Sequence, residues 1–233
     1  MRIPEIVKAL GLNRANVHRL VATLDRLGYV VRLEDGKICL SYKMFKMGST
    51  VPHSRKLDEV TKPFMHQLSE LSSETVNLGV LYADSVIYLD KVEAKQYLRL
   101  DNQIGEVDPL YCTALGKVLL SGFTVEELEE LLASVELRPY TKNTIVDKEE
   151  LLKEIGEVRK RGFAMDLKEL DVNLHCIAAP IYDYRNKVVA ALSISGPSIR
   201  FSRENMNKLA APLVEITSKI SREMGSTSPG GVK

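Results

Sequence analysis

Side chains that donate hydrogen bonds cluster at the start of a predicted helix within the stretch GLNRANVHRLVATLDRLGYV, residues 11–30. Its apolar residues recur at the three- and four-residue spacing of one helix face. The remaining surface carries polar and small residues: Arg14, Ala15, Asn16, His18, Arg19 and Thr23. An arginine can bond a guanine edge twice, and an asparagine an adenine edge. The pattern indicates a helix that reads bases in the major groove; a solvated amphipathic helix is the alternative.

The elements predicted on either side of this helix suit the same role. A short helix is predicted over residues 3–10, ahead of the polar helix, and Asn13 is a good N-cap for the polar helix. Asp35-Gly36 is typical of a hairpin turn between two short strands. Helix, tight turn, helix and hairpin is the order of a winged helix-turn-helix. Arg32 and Lys37 would lie on the wing, within reach of backbone phosphates.

Charge is divided unevenly along the chain. Residues 1–56 contain eleven Lys and Arg against four Asp and Glu, a net charge of +7. Residues 57–233 contain twenty-one against twenty-seven, a net charge of −6. A basic front quarter on an acidic body is expected of a nucleic-acid-binding module joined to a second domain. Uneven but solvated surface charge is the alternative.

Cysteine and histidine usage argues against several classes of protein. Cys39, Cys112 and Cys176 are odd in number and far apart, which favours a reducing cytoplasm over a disulfide framework. The four histidines form no pair at the spacing of metal ligands. No apolar run is long enough for a membrane span. We expect a cytoplasmic protein without a metal or cofactor.

The residues that could support catalysis do not form a recognisable site. His175 and Cys176 are neighbours in a predicted strand, so their side chains face opposite ways. Gly116-Lys117 resembles the end of a P-loop, but the preceding glycine and the following Ser or Thr are missing. Asp166 and Glu169 are interpreted as strand-end and loop residues. We therefore predict that the protein is not an enzyme.

Two serines form the second candidate site. Ser193 and Ser195 stand two apart in a predicted strand, so both hydroxyls face the same side. Leu192 and Ile194 face the other side. Buried hydroxyls need partners, which are either a small polar ligand or the neighbouring backbone.

The coarse secondary structure predicts an α+β protein, because most strands are joined by short turns and so form a mostly antiparallel sheet. The linker is expected at residues 51–54, followed by a helix over residues 56–73 in which Pro63 introduces a kink or marks the first turn. The predicted strands of the second domain are Thr75–Tyr82, Val86–Val92, Tyr97–Leu100, Phe163–Asp166, Cys176–Tyr182 and Val188–Ser195.

Several motifs, in order, resemble the IclR family of transcriptional regulators: IPEIVKALGLNRANVHRLVATLDRLGYV, SSETVNLGVL, VIYLDKVE, ALGKVLL, RGFAMD, CIAAPIYD and SISGP. The resemblance implies a winged helix-turn-helix DNA-binding domain over residues 1–50 and a linker helix over 51–73. It also implies a GAF/PAS-like effector-binding domain over 74–224, followed by a disordered tail, 225–233.

The resemblance also implies partners and a pocket. It implies dimers that pair into tetramers on a palindromic operator in double-stranded DNA, without a membrane. The effector would be a carboxylate such as pyruvate or glyoxylate, an aromatic acid or a sugar-derived acid. Carried across motif by motif, the effector-binding residues are Ala114, Leu115, Asp166, Cys176, Ser193 and Ser195.

The sequence departs from the family pattern in two places. The family normally has another helix ahead of residues 3–10, and without it Ile6, Leu20 and Leu24 are expected to leave an apolar patch exposed. Leu115 stands where the family often has a smaller residue, and we expect this leucine either to narrow the pocket or to shift its selectivity. Two alternatives follow: an effector-domain protein or hetero-oligomer partner that has lost autonomous DNA binding, and a DNA-binding protein without a ligand.

Overall fold

The computed structural model describes residues 1–48, 52–100 and 102–227. The chain divides into two compact units, Met1–Lys56 and Leu57–Lys233. The predicted disordered tail lies outside the described residues from residue 228 onward.

The first unit is a three-helix arrangement with a hairpin. Its elements are α1 (Ile3–Leu10), α2 (Arg14–Arg26), β1 (Val30–Arg32), β2 (Ile38–Leu40) and α3 (Tyr42–Gly48). β1 and β2 pair antiparallel. The predicted helix, turn, helix and hairpin order is confirmed.

The turn between α1 and α2 follows from two residues. Gly11 ends α1 with φ +63°, a left-handed conformation that glycine adopts without strain. The Asn13 side chain then accepts a hydrogen bond from the backbone N–H of Asn16 at 2.8 Å and caps α2. The two helices meet over a small apolar core of Ile3, Val17 and Val21, with Ile6, Val7 and Ile38 packed against it.

The second unit is an α+β domain preceded by a long helix. Helix α4 spans Pro52–Ser72, so it begins four residues before the predicted start at residue 56, and residues 52–54 of the expected linker are helical; Val51 lies outside the described residues. Pro63 lies inside α4 rather than in its first turn. The other elements are β3 (Thr75–Tyr82), β4 (Ser85–Val92), β5 (Val107–Pro109), α5 (Ala114–Leu120), α6 (Val125–Ser134), α7 (Lys148–Arg161), β6 (Ala164–Leu167), β7 (Leu174–Tyr182), β8 (Val188–Pro197) and α8 (Arg203–Glu223).

Six strands of this unit form one antiparallel sheet in the order β5-β4-β3-β8-β7-β6. The strand predicted at Tyr97–Leu100 is wrong: these residues are bends and irregular chain, and Tyr97 is fully exposed. The strand that follows β4 is Val107–Pro109, at the edge of the sheet, where a proline interrupts no further ladder.

The two faces of the sheet support separate cores. On one face, α4 and α8 pack over Val76, Leu78, Leu192 and Ile194. On the other, α5, α6 and α7 pack over alternate residues of the same strands, including Cys176. This alternation follows from the period of two in a strand.

Among the described residues, no helix combines the length and apolar character that crossing a membrane requires.

Candidate functional site

Helix α2 presents a polar surface on the side away from its core. Val17 and Val21 are buried, whereas Arg14, Ala15, His18 and Arg19 are exposed. Asn16 and Thr23, the other two predicted contact residues on this helix, are half-buried. Six predicted residues therefore share one helix, and four of them are fully open to a partner.

Local hydrogen bonds order this surface. The Arg19 guanidinium donates to Asn16 Oδ1 at 3.4 Å, and the Thr23 hydroxyl donates to the Arg19 carbonyl at 2.9 Å. Both contacts lie within one turn of the helix and are exposed, so they restrain the side chains weakly. The Arg19 guanidinium can exchange this long bond for a base edge at little cost.

The two predicted wing residues are held by acidic neighbours. Arg32 Nε lies 3.1 Å from Asp25 Oδ2 of α2, and Lys37 Nζ lies 2.8 Å from Asp35 Oδ2 in the hairpin turn. Both pairs are exposed, and exposed pairs contribute little to stability. A phosphate can therefore compete for either cation.

The exposed apolar surface expected on α1 and α2 is partly present. Leu20 and Leu24 are 51% and 40% exposed, as expected. Ile6 differs, because it is half-buried against the small core of the first unit.

In the second unit, all six residues predicted to bind the effector surround one cavity of about 30 Å³. Such a volume holds little more than a water molecule. The lining residues are Tyr88, Leu100, Asp108, Thr113, Ala114, Leu115, Asp166, Leu170, Leu174, Cys176, Ser193 and Ser195. We call this cavity the inner pocket.

The strand register brings the polar members of the inner pocket together. Asp166 pairs with Cys176 across β6 and β7, and Cys176 pairs with Ser195 across β7 and β8. The three residues form a row across the sheet on one face. Ser193 lies two residues along β8 on the same face.

A third polar side chain, Asn77, joins the two serines. Asn77 Nδ2 lies 3.4 Å from both Ser193 Oγ and Ser195 Oγ, and the two hydroxyl oxygens are also 3.4 Å apart. Asn77 is on β3, directly across from Ser193. Asn77 was not predicted from the sequence, although an asparagine within the mainly apolar strand TVNLGVLY is a signal for a buried polar contact.

Asp166 is the most unusual electrostatic group of the inner pocket. It is completely buried, and its Oδ1 accepts a hydrogen bond from the Glu169 backbone N–H at 2.6 Å. Its Oδ2 has no hydrogen-bond partner among the residues that the structure describes. The pKa of Asp166 is raised to about 7, chiefly by burial; the Glu169 carboxylate adds to the rise, while the Glu169 backbone N–H and the charge of Lys117 oppose it.

A buried ion pair supports this end of the pocket. Lys117 of α5 is almost fully buried, and its Nζ lies 2.5 Å from Glu169 Oε1. Burial raises the pKa of Glu169, and the charge of Lys117 counters it. Thr144 holds the Glu169 carbonyl at 2.6 Å, which fixes the loop after β6.

Two other lining residues of the inner pocket, Tyr88 and Asp108, form a hydrogen-bonded pair. The Tyr88 hydroxyl donates to Asp108 Oδ2 at 2.6 Å. Burial raises the pKa of Asp108 and also that of the Tyr88 hydroxyl. The Asp108 carboxyl is therefore easier to protonate than an exposed one.

Leu115 and the start of α5 close the pocket. The Thr113 side chain caps α5 by accepting from the Gly116 N–H at 3.0 Å. Gly116 is required there, because a Cβ would lie 2.0 Å from the Leu110 carbonyl oxygen. Leu115 packs over Gly79: a Cβ placed on Gly79 would lie only 3.0 Å from Leu115 Cδ1. The leucine thus fills space beside the inner pocket, in line with the narrow pocket expected.

A larger cavity of about 690 Å³ adjoins the inner pocket. We call it the outer cavity. The two share Leu100, Asp108, Leu170 and Leu174 as lining residues, so these four side chains separate them. The outer cavity is large enough for a small organic molecule.

The buried thiols are not activated as nucleophiles. Burial raises the pKa of both Cys176 and Cys112, so each stays a neutral thiol. His175, the neighbour of Cys176 on β7, instead has its Nδ1 2.7 Å from the Phe201 carbonyl oxygen. Within the part of the chain that the structure describes, no group of His, Cys, Asp and Glu residues could hold a metal ion.

Comparisons with known proteins give one consistent result. A family model described as "Bacterial transcriptional regulator IclR C-terminal" matches residues 49–222, and one described as "IclR helix-turn-helix domain" matches residues 1–34. The chain is 37% identical to the HTH-type transcriptional regulator KdgR of Escherichia coli over 96% of this chain and 85% of that protein. It is 32% identical to the acetate operon repressor of Salmonella typhimurium, over 97% and 83%.

Solved structures agree. The crystal structure of Thermotoga maritima IclR is similar with a TM-score of 0.76 and 31% identity, over 97% of this chain and 91% of that one. The relatives named here are transcriptional regulators rather than enzymes.

Proposed function

The chain belongs to the IclR family of bacterial transcriptional regulators, and on that basis we propose how its two sites work. The exposed surface of α2 binds the major groove of an operator, with Arg32 and Lys37 on phosphates. The inner pocket binds a small carboxylate that also carries hydroxyl groups, and this ligand controls DNA binding. Homodimers, paired into tetramers, engage a palindromic operator.

One observation carries the ligand proposal: all six predicted residues line a single cavity in which Asp166 Oδ2 is buried without a partner. A buried carboxylate oxygen without a donor is costly. A ligand hydroxyl, or the hydrate of a keto group, supplies the missing donor. The ligand carboxylate then lies toward Ser193 and Ser195, whose hydroxyls can donate, and toward the backbone N–H groups of Ala114 and Leu115, which begin α5 and so have no partner within it.

The inner pocket alone is too small for such a ligand. We infer that the acid enters through the outer cavity and displaces Leu100, which lies on an irregular segment of the chain. Leu170 and Leu174 remain as the apolar wall. The polar end of the ligand then occupies the inner pocket, whose volume suits a few polar atoms.

Thermal unfolding of the full chain with added acids tests the ligand proposal. Glyoxylate, pyruvate, D-gluconate and 4-hydroxybenzoate are the probes, because a ligand of the native state raises its melting temperature. The double variant Ser193→Ala/Ser195→Ala should lose the shift that wild type gives. Ser221→Ala, a buried serine of α8 on the opposite face of the sheet, is the control and should keep it. An equal shift in the double variant would place the ligand elsewhere.

Binding to the promoter region beside its own gene tests the DNA proposal. Binding should weaken steeply with salt, since cations on the protein replace counterions of the DNA. Arg19→Ala should cost about 1–3 kcal/mol of specific binding if Arg19 makes a two-bond base contact. Lys142→Ala removes an exposed cation of the second unit and should leave binding unchanged. Equal losses in both variants would reduce the role of Arg19 to general charge.

A further inference from the structure

A continuous set of hydrogen bonds leaves the inner pocket through Asn77. Its Nδ2 contacts both pocket serines, and its Oδ1 accepts from Asn102 Nδ2 at 3.0 Å. Asn77 is completely buried. Asn102 also lines the outer cavity, and its own Oδ1 is buried without a partner in the described part of the chain. Asn77 thus joins the two cavities.

Lys91 links the irregular chain at Asn102 to strand β4. Its Nζ donates to the Asn102 carbonyl at 2.7 Å and also lies 2.8 Å from Glu93 Oε1. Lys91 is the cross-strand partner of Asn77 on β4. The irregular chain around Asn102 is therefore held from two sides, by the Asn77 side chain and by Lys91.

The same connection reaches helix α4. The Lys91 backbone N–H donates to Asp90 Oδ1 at 2.7 Å. Both oxygens of Asp90 in turn accept from Lys62 Nζ at 2.7 Å, and the Lys62 ammonium also lies 3.4 Å from the Lys91 carbonyl. Lys62 lies on the part of α4 that belongs to the second unit. α4 is also the segment that leads back along the chain to the DNA-binding unit.

We propose that Asn77 is a positioning residue whose side chain shifts when a ligand occupies the inner pocket. The shift is transmitted to α4 through hydrogen bonds of Asn102, Lys91, Asp90 and Lys62. The proposal rests on the proposed function in one respect, that a ligand binds the two serines. It adds which side chains respond to that ligand.

The physical basis is the length of the bonds from Asn77 to the serines. At 3.4 Å, both are longer and weaker than an ordinary N–H···O bond. When a serine hydroxyl donates to a ligand carboxylate, its oxygen becomes a better acceptor. The Asn77 amide is then drawn toward Ser193 and Ser195, and its bond to Asn102 must lengthen or Asn102 must follow.

Hydrogen exchange of the full chain, without ligand, tests the relay itself. Asn77→Leu keeps the volume and removes every hydrogen bond of the side chain. Exchange should rise about three- to tenfold at residues 102–106 and also at Leu57–Met65 of α4, the effect of losing one or two net hydrogen bonds. A structural asparagine would affect only its own strand pair. Ser221→Ala is the control for loss of a buried polar side chain and should leave both segments unchanged.

A second variant keeps the proposal testable if Asn77→Leu does not fold. Asn102→Ala changes a half-buried side chain and cuts the same link outside the pocket. It should speed exchange at Leu57–Met65. Exchange there equal to wild type in Asn102→Ala, or in a folded Asn77→Leu, overturns the relay.

The arm with ligand separates this inference from the proposed function. The probe is whichever of the four acids stabilises wild type most. It should change exchange at both segments in wild type, but only at residues 102–106 in Lys62→Met, which leaves the pocket intact. A change at α4 that persists in Lys62→Met overturns the relay. If no acid stabilises wild type, the proposed ligand site fails, and the arm without ligand still decides the role of Asn77.

Discussion

The two faces of the six-stranded sheet use the same strands for opposite purposes. On β8, Leu192 and Ile194 enter an apolar core under α4 and α8, while Ser193 and Ser195 line a polar pocket under α5. All four side chains are buried. Burial alone therefore does not distinguish the core from the site. On β8 the difference lies in the partners: Leu192 and Ile194 make apolar contacts, whereas Ser193 and Ser195 share long hydrogen bonds with Asn77. The two serines also line a cavity with Asp166, whose Oδ2 has no hydrogen-bond partner among the described residues.

The largest expected change in stability comes from the buried ion pair between Lys117 and Glu169, on the face of the sheet that contains the inner pocket. Lys117→Met leaves the Glu169 carboxylate buried without its cation, which should cost about 3–5 kcal/mol of unfolding free energy. Urea denaturation measures it. Lys160→Met, which removes the exposed pair with Glu157, should cost about 0–1 kcal/mol. Equal losses would mean that solvent reaches the buried pair.

The next effect concerns pH and Asp166. Because the folded state raises the pKa of this carboxyl to about 7, from an ordinary value near 3.8, the folded state holds the proton more tightly than the unfolded chain. Its contribution to stability is full below about pH 4 and is lost as pH rises to about 7, with a slope of at most about 1.4 kcal/mol per pH unit. Asp166→Asn should remove that part of the slope, measured by denaturation from pH 5 to pH 8.

The control for this measurement is Asp171→Asn, an exposed carboxylate on the loop after β6, which should leave the slope unchanged. In the proposed complex a ligand hydroxyl donates to Asp166 Oδ2, and such a bond favours the ionised carboxylate. Ligand affinity of wild type should then rise as pH increases through about 7, and that of Asp166→Asn should not. Identical pH profiles would separate Asp166 from the ligand.

The smallest effect tests the apolar face. Ile194→Val removes one methylene from a fully buried side chain and should cost about 0.5–1.5 kcal/mol. The ligand-induced rise in the melting temperature of Ile194→Val should match that of wild type. The double variant Ser193→Ala/Ser195→Ala, with changes one residue to either side, should lose that rise. Thermal unfolding with and without the acid measures both. Loss of the rise in Ile194→Val would show that the two faces are not independent.

Local patterns were enough to predict much of this arrangement. The predicted cap at Asn13 is present, and the alternation along β8 placed both serines on one side. The predicted fold class and the resemblance to the IclR family are confirmed by the family models and the solved structures. The roles of the individual site residues stay predictions.

Contacts between distant parts of the chain could not be predicted in the same way. Asn77 and Ser193 are 116 residues apart, and Lys117 and Glu169 are 52 apart; only the strand register and the packing of α5 bring them together. The strand error has a local cause. Residues 97–100 are rich in Tyr and Leu, which are common in buried strands, but they pair with no strand of the described chain. The short β5, in contrast, ends in Asp108-Pro109, which is typical of a turn.

The position of β8 in the middle of the sheet has a consequence for synthesis on the ribosome. In the folded sheet, β8 is the strand that joins β3, β4 and β5 on one side to β6 and β7 on the other, so the full sheet cannot form until residues 188–197 have emerged. The helix-turn-helix unit is complete more than a hundred residues earlier in translation. The growing chain therefore contains the helix-turn-helix domain long before the effector-binding domain can fold. A messenger RNA truncated upstream of β8 would encode a protein that has the helix-turn-helix domain but cannot respond to an effector.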